Sequence, residues 1–286
     1  QLADIPLKDL RLPQDVLAGL IFRNNRMIIP HGDDYLLPND NTFFVGASGE
    51  IEKFSKHFVG TGIKAPERVM IIGAGRTGRT LASMLDKQGV QVKVIEKDAE
   101  RSRMVAERIE EGIVVRGDGT DIDLLTQEGV GEADVVICLT ADDKLNLMLA
   151  LLAKHLGASR TIVRVARIEY VELMEKVGVD IVLSSRLLAA GEILAFARRG
   201  GVVSVALLEG AKAEAMEVIV QKGSYVENKK LMDLQLPKEC LICAFVRDDE
   251  AFVPTGQSSL QAGDRAILFI RMEFANKVMK YFAGKA

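Results

Sequence analysis

Residues 69–98 read VMIIGAGRTGRTLASMLDKQGVQVKVIEKD, an apolar run, a glycine-rich turn, a helical pattern and a second apolar run. Gly73, Gly75 and Gly78 fill the pattern G-x-G-x-x-G where the first run meets the helix. In such a unit the first glycine permits a tight turn, the second lets a phosphate approach the backbone, and the third lets the helix pack closely on the sheet. The helix amino terminus adds free N–H groups and a positive dipole end. The stretch therefore predicts a nucleotide-binding β-α-β unit.

The alternation of apolar runs and helical patterns continues to residue 185. It predicts six strands, at 68–73, 91–97, 112–118, 133–140, 160–166 and 180–185. Runs rich in Val and Ile indicate strands that are buried on both faces, as in a parallel sheet flanked by helices. Right-handed crossovers then predict an α/β fold over 68–185, a Rossmann-like doubly wound parallel sheet of strand order 3-2-1-4-5-6. The segment 186–201, which ends in Gly200-Gly201, is predicted to be a connecting helix.

The two ends of the chain repeat each other. Residues 9–60 align with residues 233–284 without a gap, and Asp, Pro and Gly recur at matched turn positions, as shared backbone geometry demands. We interpret this as an internal duplication. It predicts two small α+β domains that flank the sheet, one over 1–60 and one over 202–286, with 61–67 as a linker. The order resembles the back end of a two-unit protein whose first nucleotide domain is missing, and the initial Gln suggests a trimmed chain or a fragment.

Two residues near the glycine turn are candidates for contact with the ligand, and one of them, Glu96, is predicted to select it. Glu96 ends the second strand, where a carboxylate accepts hydrogen bonds from ribose hydroxyls and repels a 2′-phosphate. NAD(H) or adenine nucleotides are therefore favoured over NADP. Arg76 lies inside the glycine loop, where a guanidinium reaches phosphates bidentately or is simply a solvated residue at the helix start.

Further candidates lie at the ends of later strands, on the edge where doubly wound sheets take their ligands. Asp118 either hydrogen-bonds an adenine amine or caps the helix beginning at Asp121. Thr140 and Ala141 lie next to the path of the adenosine ribose or the pyrophosphate. Arg164, inside the core-like run TIVRV, needs an anionic partner or a route to solvent. Ligand or interface contact is favoured over an internal ion pair.

Composition narrows the class of protein. The 286 residues carry a net charge of −3, so no excess of cations suggests a nucleic-acid binder. The longest apolar run, 145–153, is too short to cross a bilayer. Three cysteines suit a reducing cytoplasm, and Cys240 and Cys243 are predicted to be small core residues on opposite faces of one strand rather than metal ligands.

A reaction on the nucleotide lacks an obvious acid or base in the sequence. A dehydrogenase needs a proton donor or acceptor beside the nicotinamide. His31 and His57 lie in the leading small domain, His155 lies late in a helix, and no Tyr-x-x-x-Lys pattern follows the nucleotide domain. An NAD-dependent oxidoreductase of a small substrate remains the alternative to a sensor.

The ordered segments VMIIGAGRTGRTLASML, VIEKDAERSR, VVRGDGTDIDLL, ADVVICLTADDKLNLMLALLAKHLGA, TIVRVAR and DIVLSSRLLAAGEI together resemble an RCK (KTN) nucleotide domain. The duplicated flanking module resembles the RCK C-terminal domain, and the tandem arrangement is similar to the TrkA family of Trk potassium-uptake regulators. The resemblance implies a cytoplasmic subunit, peripheral on the inner face of the membrane. It also implies self-association into a dimer or tetrameric ring on a potassium-transporting membrane subunit.

In that family, exchange of a regulatory nucleotide, NAD(H) or ATP against ADP, gates ion flow, and no chemistry on the nucleotide is expected. The resemblance carries over the following contacts: phosphate at Gly73, Ala74, Gly75, Arg76 and Thr77; ribose at Glu96, which stands where relatives often carry Asp; adenosine at Asp118, Thr140 and Ala141; and a ligand contact at Arg164.

Overall fold

The computed structural model describes residues 2–10, 12–13, 15–24, 26–38, 40–56, 65–198, 201–208 and 211–284. His57, most of the predicted linker 61–67, and Gly200 lie outside these residues. The chain divides into two compact units, one made of 1–64 with 188–286 and the other of 65–187.

The leading part of the first unit is a small antiparallel sheet. Its elements are β1 (Val16–Arg23), β2 (Arg26–Ile28), β3 (Asn41–Gly46) and α1 (Ser48–Phe54), with strand order β2-β1-β3.

The unit 65–187 contains a six-stranded parallel sheet flanked by helices. The strands are β4 (Arg68–Ile72), β5 (Gln91–Glu96), β6 (Ile113–Arg116), β7 (Val135–Cys138), β8 (Thr161–Val165) and β9 (Ile181–Ser184). The helices are α2 (Arg76–Asp86), α3 (Ala99–Ala106), α4 (Ile122–Gln127), α5 (Asp143–His155) and α6 (Val171–Val177). The order β6-β5-β4-β7-β8-β9 confirms the predicted doubly wound fold of order 3-2-1-4-5-6.

Both faces of this sheet are buried, as the continuous apolar strands predict. Along β4, Val69 and Ile71 pack into one hydrophobic cluster, whereas Met70 and Ile72 pack into another. Successive side chains of a strand point to opposite faces, so the two clusters are the two helix-covered layers. Side chains from α2 and α3 fill the first layer and side chains from α5 fill the second.

After α7 (Ser185–Ala197), the trailing part of the first unit forms a five-stranded antiparallel sheet. Its elements are β10 (Val202–Leu208), β11 (Ala213–Ile219), β12 (Cys240–Arg247), β13 (Glu250–Phe252), β14 (Arg265–Arg271) and α8 (Ala275–Phe282), with strand order β10-β11-β14-β12-β13.

The two small sheets share one hydrophobic cluster. Leu20 and Phe22 of β1 pack with Cys243 of β12 and Phe269 of β14. Gly19 allows the close approach, since a Cβ there would lie 2.6 Å from the Phe269 ring. Cys243 therefore belongs to this core, and burial raises the pKa of its thiol to about 12.

The repeated segments also place the same polar contact at the same point of each copy. Arg23 Nη2 lies 2.8 Å from Asp40 Oδ2 and donates to the carbonyl of Tyr35 at 2.6 Å. Arg247 Nη2 lies 2.7 Å from Asp264 Oδ2 and donates to the carbonyl of Ser259 at 3.1 Å. In each copy the arginine near the end of one strand fixes the turn that precedes another.

Candidate ligand site at the carboxyl edge of the parallel sheet

A cavity of about 780 Å³ lies along the carboxyl ends of β4 to β8. Ten of the eleven residues predicted from the sequence line it, namely Gly73, Ala74, Gly75, Arg76, Thr77, Glu96, Asp118, Thr140, Ala141 and Arg164. Only Gly78 of the predicted set does not. The topology of the sheet thus brings side chains from five strand ends to one place.

The three glycines of the loop have three different environments. Gly73 has φ +105°, and a Cβ there would lie 3.0 Å from the main chain of Leu139 and Thr140. At Gly78 a Cβ would lie 2.0 Å from the carbonyl oxygen of Gly73, so this glycine lets α2 pack against the loop. Gly75 faces open space within 4 Å and precedes α2. These are the roles that the G-x-G-x-x-G pattern assigns, with room for a ligand at the second glycine.

Glu96 is buried, and its carboxylate holds the glycine loop. Oε2 accepts a hydrogen bond from the amide of Ala74 at 2.7 Å, and Oε1 accepts one from the amide of Asp98 at 3.0 Å. A carboxylate has about four acceptor positions, so each oxygen retains one for a hydroxyl. The ribose contact stays a prediction, and the support of the loop is a role that the sequence did not indicate.

Asp118 orders the turn after β6. Its Oδ1 accepts from the amide and the hydroxyl of Thr120, at 3.0 and 2.9 Å. The amide hydrogen bond from Thr120 is the main reason why the pKa of Asp118 is lowered. The alternative that Asp118 caps α4 is wrong, because Asp121 accepts from the amides of Asp123 and Leu124 and is itself the cap.

Thr140 and Arg164 meet through a side chain that the sequence analysis missed. Asn146 of α5 is fully buried, and its Oδ1 accepts from the amide and the hydroxyl of Thr140 at 2.8 and 2.7 Å. Its Nδ2 donates to the carbonyls of Thr140 and Arg164, at 3.1 and 3.0 Å. This contact also explains why β7 ends at Cys138 and not at the predicted residue 140, since the amide of Thr140 bonds Asn146 instead of a strand.

The Arg164 guanidinium is only weakly bound by the protein. Its Nη2 lies 3.5 Å from the carbonyl of Thr140, and its buried Nε has no hydrogen-bond partner among the described residues. Arg164 makes no ion pair with any of the residues that the structure describes. The internal ion pair considered for this arginine is therefore not observed, and a buried unpaired donor is costly unless a ligand accepts from it.

Comparison with known families agrees with this architecture. The TrkA-N domain model matches residues 69–185, and the TrkA-C domain model matches residues 1–59 and 215–283. The chain belongs to the family of TrkA-N and TrkA-C domain proteins. The resemblance seen in the sequence is thereby confirmed, and the TrkA-C match falls on both copies of the small module.

Two relatives illustrate the relationship. The Trk system potassium uptake protein TrkA homolog 2 of Methanosarcina mazei is 37% identical over 279 residues, which is 96% of this chain and 62% of that protein. The Trk system potassium uptake protein TrkA of Halomonas elongata is 32% identical over 266 residues, 90% of this chain and 56% of that protein. The chain thus spans less than two thirds of the length of these relatives. A solved structure of the GsuK channel matches 98% of this chain, and the match takes up 50% of that channel's chain. The TM-score is 0.51 and the sequence identity is 22%, which shows a shared fold.

None of the described helices is long and apolar enough to cross a bilayer.

The cavity of the TrkA-N domain is lined by cations that make no close ion pair with the described residues. Arg76, Lys97 and Arg101 line it, and none of them makes an ion pair within the described residues. Its acids are already engaged by the protein: Glu96 and Asp118 as above, and Asp142 as the cap of α5. Lys97 and Arg101 were missed from the sequence, although both follow the second strand closely. The cavity is therefore suited to an anion.

A second cavity of the TrkA-N domain, of about 550 Å³, lies at the opposite, amino edge of the sheet. Its two cations are both paired, Lys93 with Glu128 at 2.9 Å and Arg68 with Glu132 at 3.0 Å. Because both cations are paired with carboxylates of the protein, the amino edge lacks the unpaired positive charge that the carboxyl edge presents to an anion.

Proposed function

We propose that this chain is a nucleotide-sensing regulatory protein that binds NAD(H) or ATP/ADP in the carboxyl-edge cavity. The observation that carries the proposal is Arg164, whose buried Nε has no acceptor within the described residues. Its side chain lines the cavity together with Arg76, Lys97 and Arg101, which make no ion pair within those residues. The open face of Gly75 and the amino terminus of α2 add main-chain donors for a pyrophosphate.

The regulated partner is proposed to be a potassium-transporting membrane subunit. The support is that the relatives carry the name Trk system potassium uptake protein and share both domain types with this chain. We propose that the chain acts at the cytoplasmic face of the membrane and self-associates into a dimer or tetrameric ring. The domains 1–60, 68–185 and 202–286 are the units that would rearrange.

Binding without turnover is the simplest use of this cavity. The described residues that line it include no His, Cys or Tyr, and the three acids among them are hydrogen-bonded to the protein's own donors. A regulatory ligand needs only a different affinity for two arrangements of the domains. A preference of about 1–3 kcal/mol shifts their populations roughly 5- to 150-fold.

Arg164→Gln is expected to weaken nucleotide binding by about 10-fold or more, because a charge-assisted hydrogen bond contributes about 1.5–3 kcal/mol. Titration calorimetry with NADH, NAD⁺, ATP and ADP measures the change. The matched control is Arg68→Gln, which removes an arginine from the amino edge of the same sheet and should leave all four affinities unchanged. If the wild-type chain takes up none of the four nucleotides, the proposed function is wrong. Steady oxidation of NADH with carbonyl substrates would instead favour an oxidoreductase.

Lys97→Gln combined with Arg101→Gln is expected to weaken binding severalfold in low salt and much less in high salt. Both side chains are exposed at the rim, and exposed charges act through a field that salt screens over about 10 Å at 0.1 M. Affinity measured at two ionic strengths tests this. Arg103→Gln, an exposed cation of the same helix that pairs with Glu107, serves as the control and should change neither value.

A further inference from the structure

Asn146 lies beneath the cavity and not in its wall, so it touches a ligand only through its neighbours. Its side-chain amide has two donor and two acceptor positions, and all four are used, by Thr140 and Arg164 alone. A fully satisfied buried amide of this kind holds its partners in one geometry.

The amide replaces the sheet where the sheet ends. The last pair of the ladder between β7 and β8 is Cys138 with Val163. Beyond it, the carbonyls of Thr140 and Arg164 both accept from Asn146 Nδ2. The relative position of these two cavity residues is therefore set by one side chain.

Asn146 also determines what the Arg164 guanidinium can bond. Within the described residues, Arg164 Nη2 bonds the carbonyl of Thr140 at 3.5 Å, and Asn146 already donates to that carbonyl at the shorter distance of 3.1 Å. Without the side-chain amide of Asn146, the Thr140 carbonyl lacks that donor, and the Arg164 guanidinium is free to turn toward the carbonyl. The arginine would then be satisfied internally and lost to the ligand.

We infer that Asn146 is a positioning residue that keeps Arg164 available for the part of the ligand beyond the first phosphate. The inference rests on the proposed function. The cavity runs from Asp118 after β6, past the glycine loop of β4, to Arg164 in β8. Under that function, the ribose lies on Glu96 and the adenine near Asp118 at the β5–β6 end, and Thr140 and Ala141 take the pyrophosphate side, the second of the two paths that the sequence left open for them. AMP then stops at the glycine loop, whereas ADP and NADH extend toward β8. Asn146 thereby favours the longer ligands over AMP.

Asn146→Ala tests the inference through ligand length. The variant is expected to bind ADP and NADH about 10-fold more weakly than the wild type and to bind AMP within about twofold of it, as measured by calorimetry. In an Arg164→Gln background the same substitution is expected to add less than about twofold, since both changes remove one interaction.

The matched control is Thr161→Val. Thr161 is a buried polar residue of β8, the strand that contains Arg164, and its hydroxyl donates to Asp180 at the amino edge. It is expected to lower stability without changing the ratio of AMP to ADP affinity. If Asn146→Ala does not fold, Asn146→Ser, which retains a hydroxyl toward Thr140, is measured in the same way and is expected to show the same preferential loss for ADP.

The outcomes separate the two proposals. A wild-type chain that binds none of AMP, ADP and NADH overturns the proposed function. A wild-type chain that binds them while Asn146→Ala weakens all three equally, or while its effect is undiminished in the Arg164→Gln background, leaves that function intact and overturns the positioning role.

Discussion

Gly78→Ala is expected to destabilise the TrkA-N domain by about 3 kcal/mol and to abolish nucleotide binding. The added Cβ would lie 2.0 Å from the carbonyl oxygen of Gly73, which is a main-chain atom and not the end of a flexible side chain. Gly73 is itself closely packed, since a Cβ there would lie 3.0 Å from the main chain of Leu139 and Thr140. The start of α2 must therefore move away from the loop. Urea unfolding measures the loss of stability, and calorimetry measures the loss of binding.

Gly75→Ala is the matched control from the same loop, and it should separate binding from stability. Apart from its chain neighbours and the backbone of its own helix, no heavy atom of the described residues lies within 4 Å of a Cβ at this position, and its φ of −61° suits any residue. We expect the free energy of unfolding to change by less than about 0.5 kcal/mol, as for a substitution that disturbs no packing. The methyl group would occupy the space into which a phosphate is proposed to come, so affinity should fall at least about 10-fold.

Two results with Gly78→Ala and Gly75→Ala would contradict the proposed geometry of the loop. Equal destabilisation by both substitutions would mean that the loop does not have this conformation. A Gly75→Ala variant that binds NADH and ADP like the wild type would place the ligand away from the second glycine, and the phosphate assignment would be lost.

The architecture of the parallel sheet was predictable because burial on both faces leaves a strong signal in the sequence. Val69 to Ile72 are apolar without interruption, and their side chains fill two separate layers. Strand ends were less predictable. The run 112–118 was expected to be one strand, yet β6 ends at Arg116, because Asp118 bonds Thr120 and begins a turn. A local hydrogen bond of this kind competes with the ladder without altering the apolar pattern.

The main chain of the site was predictable and its supporting side chains were not. The glycine loop has the G-x-G-x-x-G spacing between an apolar run and a helical pattern, so Gly73, Gly75 and Gly78 could be assigned roles before the fold was known. Asn146 lies in a helical segment of apolar pattern, and nothing local distinguishes it from an ordinary polar residue. Its importance arises from contacts with Thr140, which follows β7, and with Arg164 in β8, two residues that the topology brings together.

Asp264→Asn is expected to destabilise the unit that contains the two TrkA-C segments by about 3–5 kcal/mol. Asp264 is buried, and it accepts from Arg247 Nε at 2.8 Å, from Arg247 Nη2 at 2.7 Å and from the amide of Gln261 at 2.7 Å. The substitution leaves the guanidinium of Arg247, whose side chain is 29% exposed, without its buried counter-charge. Urea unfolding at pH 7 measures the effect, and Asp40→Asn removes the equivalent contact with Arg23 from the leading copy.

The exposed pair between Arg265 and Glu217 provides the control in the same sheet. Its atoms lie 3.2 Å apart, and the arginine side chain is 44% exposed. Glu217→Gln should therefore cost less than about 1 kcal/mol, as is usual for an ion pair in contact with water. A cost equal to that of Asp264→Asn would show that burial of the Arg247 pair contributes nothing.

The pH dependence gives the same pair a second, independent test. Burial raises the pKa of Asp264, but the hydrogen bonds from Arg247 and Gln261 outweigh it, so the pKa lies below its usual value. A carboxyl group with a lowered pKa in the folded state stabilises the fold above its unfolded pKa of about 3.9 and loses that contribution as the pH falls through the folded value. The difference in unfolding free energy between wild type and Asp264→Asn should thus be complete at pH 7 and should shrink below about pH 4. A difference that stays constant down to pH 3 would mean that the loss arises from the shape of the asparagine and not from the missing charge.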